Sequence, residues 1–503
     1  MAVSAYFLGI DVSAGGLGLI VIGGDGTVLA HLRRAYGGED TGPMDPQDWW
    51  RAARTGIKEI LRRAELRADQ VRAIGISGDA DGVVAIDRER KVLSPAVFGP
   101  DPAVASYVDQ LTQKVGARNL LNLASGPAHT GATAVKLLWL RDTHKRVWHD
   151  CAHLLSPKDF LRYRLTGTAV TDACDAAASL LFNPRTRSWS KQLLQLLDLN
   201  PAWLPAINNG NSISGRVIES AAREAGLQAG TPVVTGASHA AAIAVTAGVL
   251  QPGTAAIELG NQGSVFLPTA EAARDPSGRL LSTCHCIAGT WALVSQGAAG
   301  ADALDWLMLH VMPSEVAQAR RAQRDPLDVM AELAAEIPPG ADGLIHLPAA
   351  AKTSGFLGLT SRHGRGHLVR AVLEGGAIAC QRILTGLADS KIPAPEHVVL
   401  TGPGASNHLW CQIMADALDR EVHAAAVPEV AAAGSAILAA ATVGVHKTVE
   451  DAAAKMVKNR NSFAARRSAA VAYADLARES ARLADAIAGT RAKPPESAAE
   501  MLL

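Results

Sequence analysis

Two carboxylates stand one residue apart between two glycines, in the segment Gly78-Asp79-Ala80-Asp81-Gly82. Carboxylates on a loop can accept hydrogen bonds from ligand hydroxyl groups or supply oxygen ligands to a cation. Aspartate is also an ordinary turn residue, because its side chain bonds to the nearby backbone. Asp79 and Asp81 are therefore candidate binding residues, and the sequence leaves the simpler interpretation of a solvated turn open.

A second group with chemical potential is Cys284-His285-Cys286, since thiolates and imidazole bind metals. Neighbouring residues of a strand point to opposite faces, and no second pair of ligands follows, so we do not expect a metal there. The chain has 6 cysteines in 503 residues, which does not indicate a disulfide framework.

Length and charge narrow the class of protein. A chain of 503 residues is too long for one ordinary core and predicts two large domains. Lys+Arg and Asp+Glu both number 48, which gives no electrostatic reason to expect nucleic acid or a membrane surface as a partner. The apolar run 431–445 is too short to span a bilayer and predicts a buried helix on a sheet. Asp11 interrupts the first apolar stretch, so we expect no signal peptide and a cytoplasmic location.

The same order of elements occurs in both halves of the chain. In each half an apolar run breaks at a turn that contains glycine and then resumes, which predicts a strand hairpin. A later strand in each half ends at a glycine turn. The hairpins are 6–11 with 17–22 and 255–259 with 264–267, and the later strands are 71–77 and 397–401. The repeated order predicts two duplicated domains that face each other.

Turn residues and helical spacing give the domain plan. Gln251-Pro252-Gly253 predicts a boundary between domains 1–248 and 249–460. Residues 461–503 are expected to form a helix followed by a frayed tail. Apolar residues at three- and four-residue spacing predict helices over 49–64, 368–388 and 468–488.

Several segments, in a fixed order, resemble the FGGY family of carbohydrate kinases, and within it the xylulokinases. The strongest is LSPKDFLRYRLTG at 155–167, and the others are 8–11, 73–78, 136–141, 171–177, 358–375 and 410–413. The resemblance implies an α/β fold of two duplicated ribonuclease-H-like domains, as in actin-like ATPases and sugar kinases, around a central cleft. It also implies a small sugar or polyol as substrate, with ATP and Mg²⁺ as cofactors for phosphoryl transfer to a sugar hydroxyl.

The resemblance also assigns the parts that would hold the nucleotide. Asp11 takes the position that organises Mg²⁺ through water, while the hydroxyl and lysine positions of the first hairpin are occupied by Ala14 and Gly18. Pro403 replaces a glycine of the adenosine loop and removes one N–H donor. The nucleotide-binding positions implied are Gly15, Gly260, Asn261, Gln262, Gly263, Gly402, Gly404 and Asn407.

On the sugar side, the resemblance assigns Asp79, Asp81 and Asp101 to the substrate, although the first two replace an amide and an imidazole of the family. The catalytic aspartate position carries His239, which follows Ser238. An imidazole can accept a proton near neutral pH. It does not reproduce the anionic carboxylate that shapes the charge near Mg²⁺.

Because changes fall on several separate site elements, we expect a xylulokinase-like protein with weak, altered or lost activity, in the manner of a pseudokinase. One alternative is an active kinase for an unusual sugar or polyol, with His239 as its base. The other is a non-catalytic protein that senses a small ligand or holds a partner protein, and a homodimer is compatible with it. Binding of Mg·ATP distinguishes these hypotheses.

Overall fold

The computed structural model of the protein describes residues 5–36, 44–98, 102–124, 126–260, 263–275, 279–295, 301–348, 354–390, 392–457 and 460–490. Three of the predicted site residues, Asp101, Asn261 and Gln262, lie outside these ranges. Within them, each half of the chain builds one seven-stranded sheet flanked by helices.

The first sheet is built around a hairpin of two apolar strands. The strands of this half are β1 (Tyr6–Ser13), β2 (Gly16–Gly23), β3 (Val28–Arg34), β4 (Val71–Gly78), β5 (Gly82–Ile86), β6 (Val97–Phe98), β7 (His153–Leu155), β8 (Val170–Asp172), β9 (Phe182–Asn183), β10 (Ser188–Trp189), β11 (Ala206–Asn208), β12 (Ile213–Arg216), β13 (Pro232–Val234) and β14 (Ala237–Ser238). The sheet order is β12-β13-β4-β1-β2-β3, and β14 pairs with β4. Strands β1 and β2 are almost wholly buried, as expected for a central pair covered on both faces.

The second sheet repeats this plan. Its half contains β15 (Thr254–Glu258), β16 (Val265–Thr269), β17 (Leu281–Cys284), β18 (Trp291–Ser295), β19 (Ile345–Leu347), β20 (Gly355–Leu357), β21 (His397–Thr401), β22 (Val422–Ala425) and β23 (Arg460–Phe463). The sheet order is β17-β18-β16-β15-β21-β22-β23. Strand β15 pairs antiparallel with β16 and parallel with β21, as β1 does with β2 and β4. The predicted duplication of the hairpin and the later strand is confirmed.

Helices cover the sheets. They are α1 (Pro46–Arg63), α2 (Ala105–Val115), α3 (Ala117–Leu123), α4 (Thr133–Thr143), α5 (Lys145–Asp150), α6 (Pro157–Thr166), α7 (Ala173–Ala178), α8 (Lys191–Leu196), α9 (Glu219–Ala225), α10 (His239–Ala247), α11 (Ala301–Trp306), α12 (Pro313–Arg321), α13 (Pro326–Ala335), α14 (Arg365–Thr385), α15 (His408–Leu418), α16 (Val430–Thr442), α17 (Val449–Met456) and α18 (Arg467–Thr490). The predicted helices correspond to α1, α14, α18 and the buried α16.

Helices α10 and α16 join the two halves. Helix α16 comes from the second half but packs on β1 and β4 of the first, and it also contacts α10. A Cβ atom added at Gly9 or Gly75 would overlap a carbonyl oxygen of α16, and one at Gly434 would overlap the Ala242 carbonyl oxygen. Such close approach of backbones requires glycine. One apolar core therefore runs through the junction, with members from both halves.

No helix in the described parts of the chain is long and apolar enough to cross a membrane. Most of the run 431–445, predicted to be a buried helix on a sheet, is such a helix in the structure, and this helix, α16, ends at Thr442.

We expect Gly75→Ala to destabilise the protein strongly, because its methyl group would meet the Ser435 carbonyl oxygen and separate α16 from β4. Overpacking of this kind costs about 3 kcal/mol, which a shift in the urea unfolding midpoint would measure. Gly355→Ala is the matched control, since nothing lies within 4 Å of the added methyl. Equal unfolding midpoints for the two variants would contradict the packing described.

Candidate functional site

A cavity of about 470 Å³ lies between the halves and is lined by residues of both. From the first half it takes Ala14, which precedes Gly15, together with Asp79 and Asp81. From the second it takes Ser264, which follows Gly263. Residues beside both glycine hairpins therefore adjoin one cleft, as the duplicated order predicts.

His239 lies at the first position of α10, and the hydroxyl group of Ser238 caps that helix. Its Nδ1 atom is 3.1 and 3.0 Å from the Oδ1 and Oδ2 atoms of Asp11. Its Nε2 atom is 3.8 Å from Oε1 of Glu258. Both nitrogens of the ring therefore face carboxylates, one from each half of the chain.

Asp11 and His239 hold each other in their charged forms. Burial disfavours the charged form of Asp11, but the charge and hydrogen bond of His239 lower the pKa of that carboxyl below its ordinary value. A hydrogen bond of 2.8 Å from the Ser77 hydroxyl to Oδ1 acts in the same direction. Burial also opposes charge on His239, yet Asp11 raises the pKa of the imidazole well above its ordinary value. The two groups form a buried ion pair.

The carboxylate of Asp79 is hydrogen-bonded to the backbone of the first hairpin. The backbone N–H of Ala14 donates to Oδ2 of Asp79 at 2.9 Å. Burial is the main reason that the pKa of this carboxyl is raised to about 6, although His239 and the Ala14 N–H oppose the shift. This backbone N–H of the first hairpin, at the position where the family has a hydroxyl residue, is thus already paired within the protein.

An ion pair fills the space beside Gly18, the position of the family's lysine. Arg33 donates to both oxygens of Glu429, at 3.3 and 2.9 Å. A Cβ atom at Gly18 would overlap the Glu429 carboxylate, so the ion pair occupies the space that a side chain at this position would take. Neither partner was predicted from the sequence, because Arg33 lies on β3 and Glu429 precedes α16, and neither belongs to a recognisable motif.

The loop 78–82, which the resemblance assigns to the substrate, lies at the cavity, but only some of its groups face it. The side chain of Asp81 lines the cavity, while its carbonyl oxygen accepts a hydrogen bond from Lys136 Nζ. His129 lies beside it, and its buried Nε2 atom has no hydrogen-bond partner among the described residues. Arg279 lines the same cavity. Sequence reasoning missed His129 and Arg279, which carry no motif and become neighbours only in the folded chain.

A buried ionic network supports this loop from below. Lys158 Nζ is 2.6, 2.7 and 3.0 Å from carboxylate oxygens of Asp159, Asp172 and Asp175. Burial opposes the charge on Lys158, but these carboxylates raise the pKa of its ammonium group. Lys158 packs against Gly78 at the start of the loop. The segment that most resembles the family therefore builds a support for the site.

On the side that the resemblance assigns to the nucleotide, the second hairpin contacts the loop that contains Gly402 and Gly404. The Gly404 N–H donates to the Leu259 carbonyl at 2.7 Å, and Gly260 lies against Pro403. Gly263 and Gly402 have positive φ angles of 53° and 83°. Asn407 is engaged within the protein, since its side chain caps α15 and donates to Asp328 at 3.1 Å.

These contacts test whether the site fits Mg²⁺ and a terminal phosphate. Both oxygens of Asp11 face an imidazole nitrogen, so this carboxylate is not free to organise a metal through water. The carboxylate of Asp79 lies at the first hairpin, where it would repel a phosphate, and the Glu429 carboxylate occupies the space beside Gly18. The residues present do not fit the metal and the terminal phosphate of a kinase.

Comparisons with known proteins place this architecture. The models of the N-terminal and C-terminal domains of the FGGY family of carbohydrate kinases match residues 6–246 and 255–443. The chain is 30% identical to xylulose kinase of Escherichia coli K12 over 420 residues, which covers 82% of this chain and 84% of that protein. It is 24% identical to gluconokinase of Bacillus licheniformis over 460 residues, or 88% of each chain. The crystal structure of xylulose kinase from Rhodospirillum rubrum superposes with a TM-score of 0.84 at 28% identity, covering 97% of this chain and all of that one.

Two α/β domains with duplicated hairpins around one cleft define the class of two-domain sugar kinases. The chain belongs to the FGGY family of carbohydrate kinases, since the two domain models together match most of its length. Kinases of this family act on small sugars and use ATP, generally with Mg²⁺.

We expect Asp79→Asn to stabilise the protein above about pH 6. In the folded protein the pKa of Asp79 is about 6, against an ordinary value of 3.8, so the folded state holds its proton more tightly than the unfolded chain does. Ionisation between about pH 4 and pH 6 therefore costs the folded state up to about 3 kcal/mol. Asparagine keeps an oxygen for the Ala14 N–H and carries no charge.

Urea unfolding of wild type and Asp79→Asn at several pH values measures this difference. The difference in unfolding free energy should be largest above pH 6. It should vanish below about pH 4, where the side chain at position 79 is neutral in both proteins. A difference that does not change with pH would contradict the burial of an ionisable Asp79.

Proposed function

We propose that this chain is a xylulokinase-like member of its family that binds a small sugar or polyol in the cleft and transfers phosphate weakly or not at all. The observation that carries this proposal is the placement of His239 between two carboxylates, with Nδ1 on Asp11 and Nε2 towards Glu258. The activity of a kinase depends on the group at this position.

A general base must be free to take a proton from the substrate hydroxyl. The imidazole of His239 can do so only in its neutral form, but Asp11 and then Glu258 favour the protonated form. Both ring nitrogens also face these carboxylates, so neither is free to accept a proton from a substrate. Both the charge and the direction of the ring therefore oppose a role as base.

The phosphate side supports the same proposal. The Ala14 N–H is paired with Asp79, and Glu429 brings a carboxylate to Gly18, where the family has a lysine. A bound triphosphate would have to displace Asp79 from the Ala14 N–H, and it would lie close to the carboxylate of Glu429. We therefore propose weak affinity for Mg·ATP.

The cavity itself supports binding of a small polar ligand. Its volume of about 470 Å³ lies within the range of small-molecule sites. Asp81, His129 and Arg279 supply polar groups, and Phe266 and Leu281 supply an apolar wall. This mixture suits a sugar or polyol, which combines hydroxyl groups with apolar C–H faces.

We expect wild-type protein to show no sugar-dependent ATP turnover with xylulose, gluconate or simple polyols. His239→Ala should then change nothing, and His239→Asp alone should not restore turnover, because catalysis depends on the whole constellation. The measurement is ADP release. The xylulose kinase of E. coli, assayed in parallel, serves as the positive control.

Turnover in the wild type that falls roughly a hundredfold or more in His239→Ala would overturn the proposal. It would make this protein an active kinase with an imidazole base. Turnover that is unchanged in His239→Ala would also overturn it and would place the base elsewhere in the cleft.

Mg·ATP should bind too weakly for a working kinase, with a dissociation constant of about 1 mM or higher. Isothermal titration calorimetry with and without Mg²⁺ measures this directly. Asp79→Asn serves as the matched variant, since it removes the carboxylate from the hairpin and should tighten binding. Wild-type affinity in the micromolar range, about −8 kcal/mol, would contradict the proposal.

A further inference from the structure

A second cavity lies within the first half of the chain and is distinct from the cleft cavity. Its volume is about 280 Å³, and it is bordered by α1, α6, α9 and the turn that follows β5. Its walls include two arginine side chains, Arg90 and Arg164, and we term it the arginine pocket. Among the described residues, none that lines the arginine pocket also lines the cleft cavity.

Aromatic rings position both guanidinium groups at the pocket. The Arg164 guanidinium lies over the ring of Trp50, 4.9 Å from the ring centroid. The Arg90 guanidinium lies over the ring of Tyr163, 5.4 Å from its centroid. Both rings are buried and are therefore fixed parts of the fold. Stacking on them holds the two cations in place without a carboxylate.

The carboxylate that lines the pocket is engaged by other groups. Oε2 of Glu224 accepts a hydrogen bond from Trp50 Nε1 at 2.7 Å and lies 3.7 Å from Nη1 of Arg54. Among the described residues, no carboxylate oxygen lies within ion-pair distance of Arg90 or Arg164. The pocket therefore carries an excess of positive charge.

The charge of Arg164 is half-buried, and its donors are only partly used. Nη1 of Arg164 donates to Oε1 of Gln47 at 2.7 Å, which engages one of the five N–H donors of a guanidinium group. Burial lowers the pKa of the Arg164 guanidinium from its ordinary value, and the charge of Glu224 opposes this shift only in part. A partly buried cation without a carboxylate in contact is costly, and a bound anion would remove that cost.

We propose that the arginine pocket binds a phosphate group, carried by a small phosphate ester or present as free phosphate. A phosphate group has several strong acceptor oxygens, so it can accept hydrogen bonds from two guanidinium groups that come from different elements of the fold. A carboxylate has two oxygens in one plane and suits a single guanidinium. The side chains of Ile218 and Ala221 give the pocket an apolar wall for the carbon skeleton of an ester. The proposal goes beyond the proposed function and does not depend on it, because the two cavities share no lining residue among those described.

Isothermal titration calorimetry of the full chain with small anions at constant ionic strength tests the proposal. Glycerol 3-phosphate should bind the wild type with a dissociation constant of about 1 mM or lower. Arg164→Gln and Arg90→Gln should each weaken binding by at least about tenfold, because each removes a charge-assisted pair of hydrogen bonds. Arg90 is exposed, so Arg90→Gln keeps the test available should Arg164→Gln fail to fold.

Arg223→Gln is the matched control. Arg223 is also an arginine of α9, the helix that borders the pocket, but its side chain is 74% exposed and does not line the pocket. This variant loses the same unit of charge from the same region and should bind glycerol 3-phosphate as the wild type does.

Inorganic phosphate and acetate complete the set of probes. Tighter binding of glycerol 3-phosphate than of inorganic phosphate would assign the pocket to an ester, and equal affinities would assign it to free phosphate. Acetate should bind at least about tenfold more weakly than either. Acetate binding of equal strength would overturn the proposal, as would wild-type affinity for glycerol 3-phosphate in both Arg90→Gln and Arg164→Gln. Absence of binding by the wild type at ~10 mM of either phosphate probe would overturn it as well.

Discussion

The close contact of α16 with β1, β4 and α10 is the constraint on which the site depends. Gly9, Gly75 and Gly434 allow these backbones to touch, and any side chain there would separate them. The Thr246 hydroxyl donates to the Val430 carbonyl at 2.7 Å, and the Ser77 hydroxyl oxygen lies 3.2 Å from the Ala431 carbonyl oxygen, so the start of α16 is held against both neighbours. This packing holds the end of β1, the first turn of α10 and the residue before α16 in one place. Asp11 and His239 are therefore in direct contact, and Glu429 lies near enough for the charge of Asp11 to act on it.

This packing also determines which charged and polar groups in the cleft are paired. In the described part of the first hairpin, three positions that the resemblance assigns to Mg²⁺ or phosphate are occupied by partners from within the chain. Asp11 has His239, the Ala14 N–H has Asp79, and the place beside Gly18 is filled by Glu429 paired with Arg33. These contacts come from distant parts of the chain and converge on one hairpin. Substitutions that look unrelated along the sequence are thus neighbours in space, and loss of His239 would leave the buried carboxylate of Asp11 without its charged partner.

The fold could be predicted from local sequence patterns, whereas the site could not. Hairpins, core strands and long helices arise from local patterns, namely apolar runs, glycine turns and helical spacing. The segment around Lys158, which resembles the family most, carries a buried ionic network. These features keep the architecture while the ligand-facing turns have changed. The cleft retains a cavity with polar and apolar walls.

The sequence by itself determined the duplicated order of hairpin and later strand, the principal helices, the family, and the identity of the residue at the catalytic position, because each depends on local pattern or on an ordered series of motifs. Only the tertiary structure decided what His239 does there. Its two nitrogens face Asp11 and Glu258, which lie 228 residues before it and at the end of β15 after it, on different sheets. The partners of Asp79, Gly18 and Asp81 were hidden for the same reason. Pairing across the cleft depends on the distance between atoms in space, and no spacing along the chain encodes it.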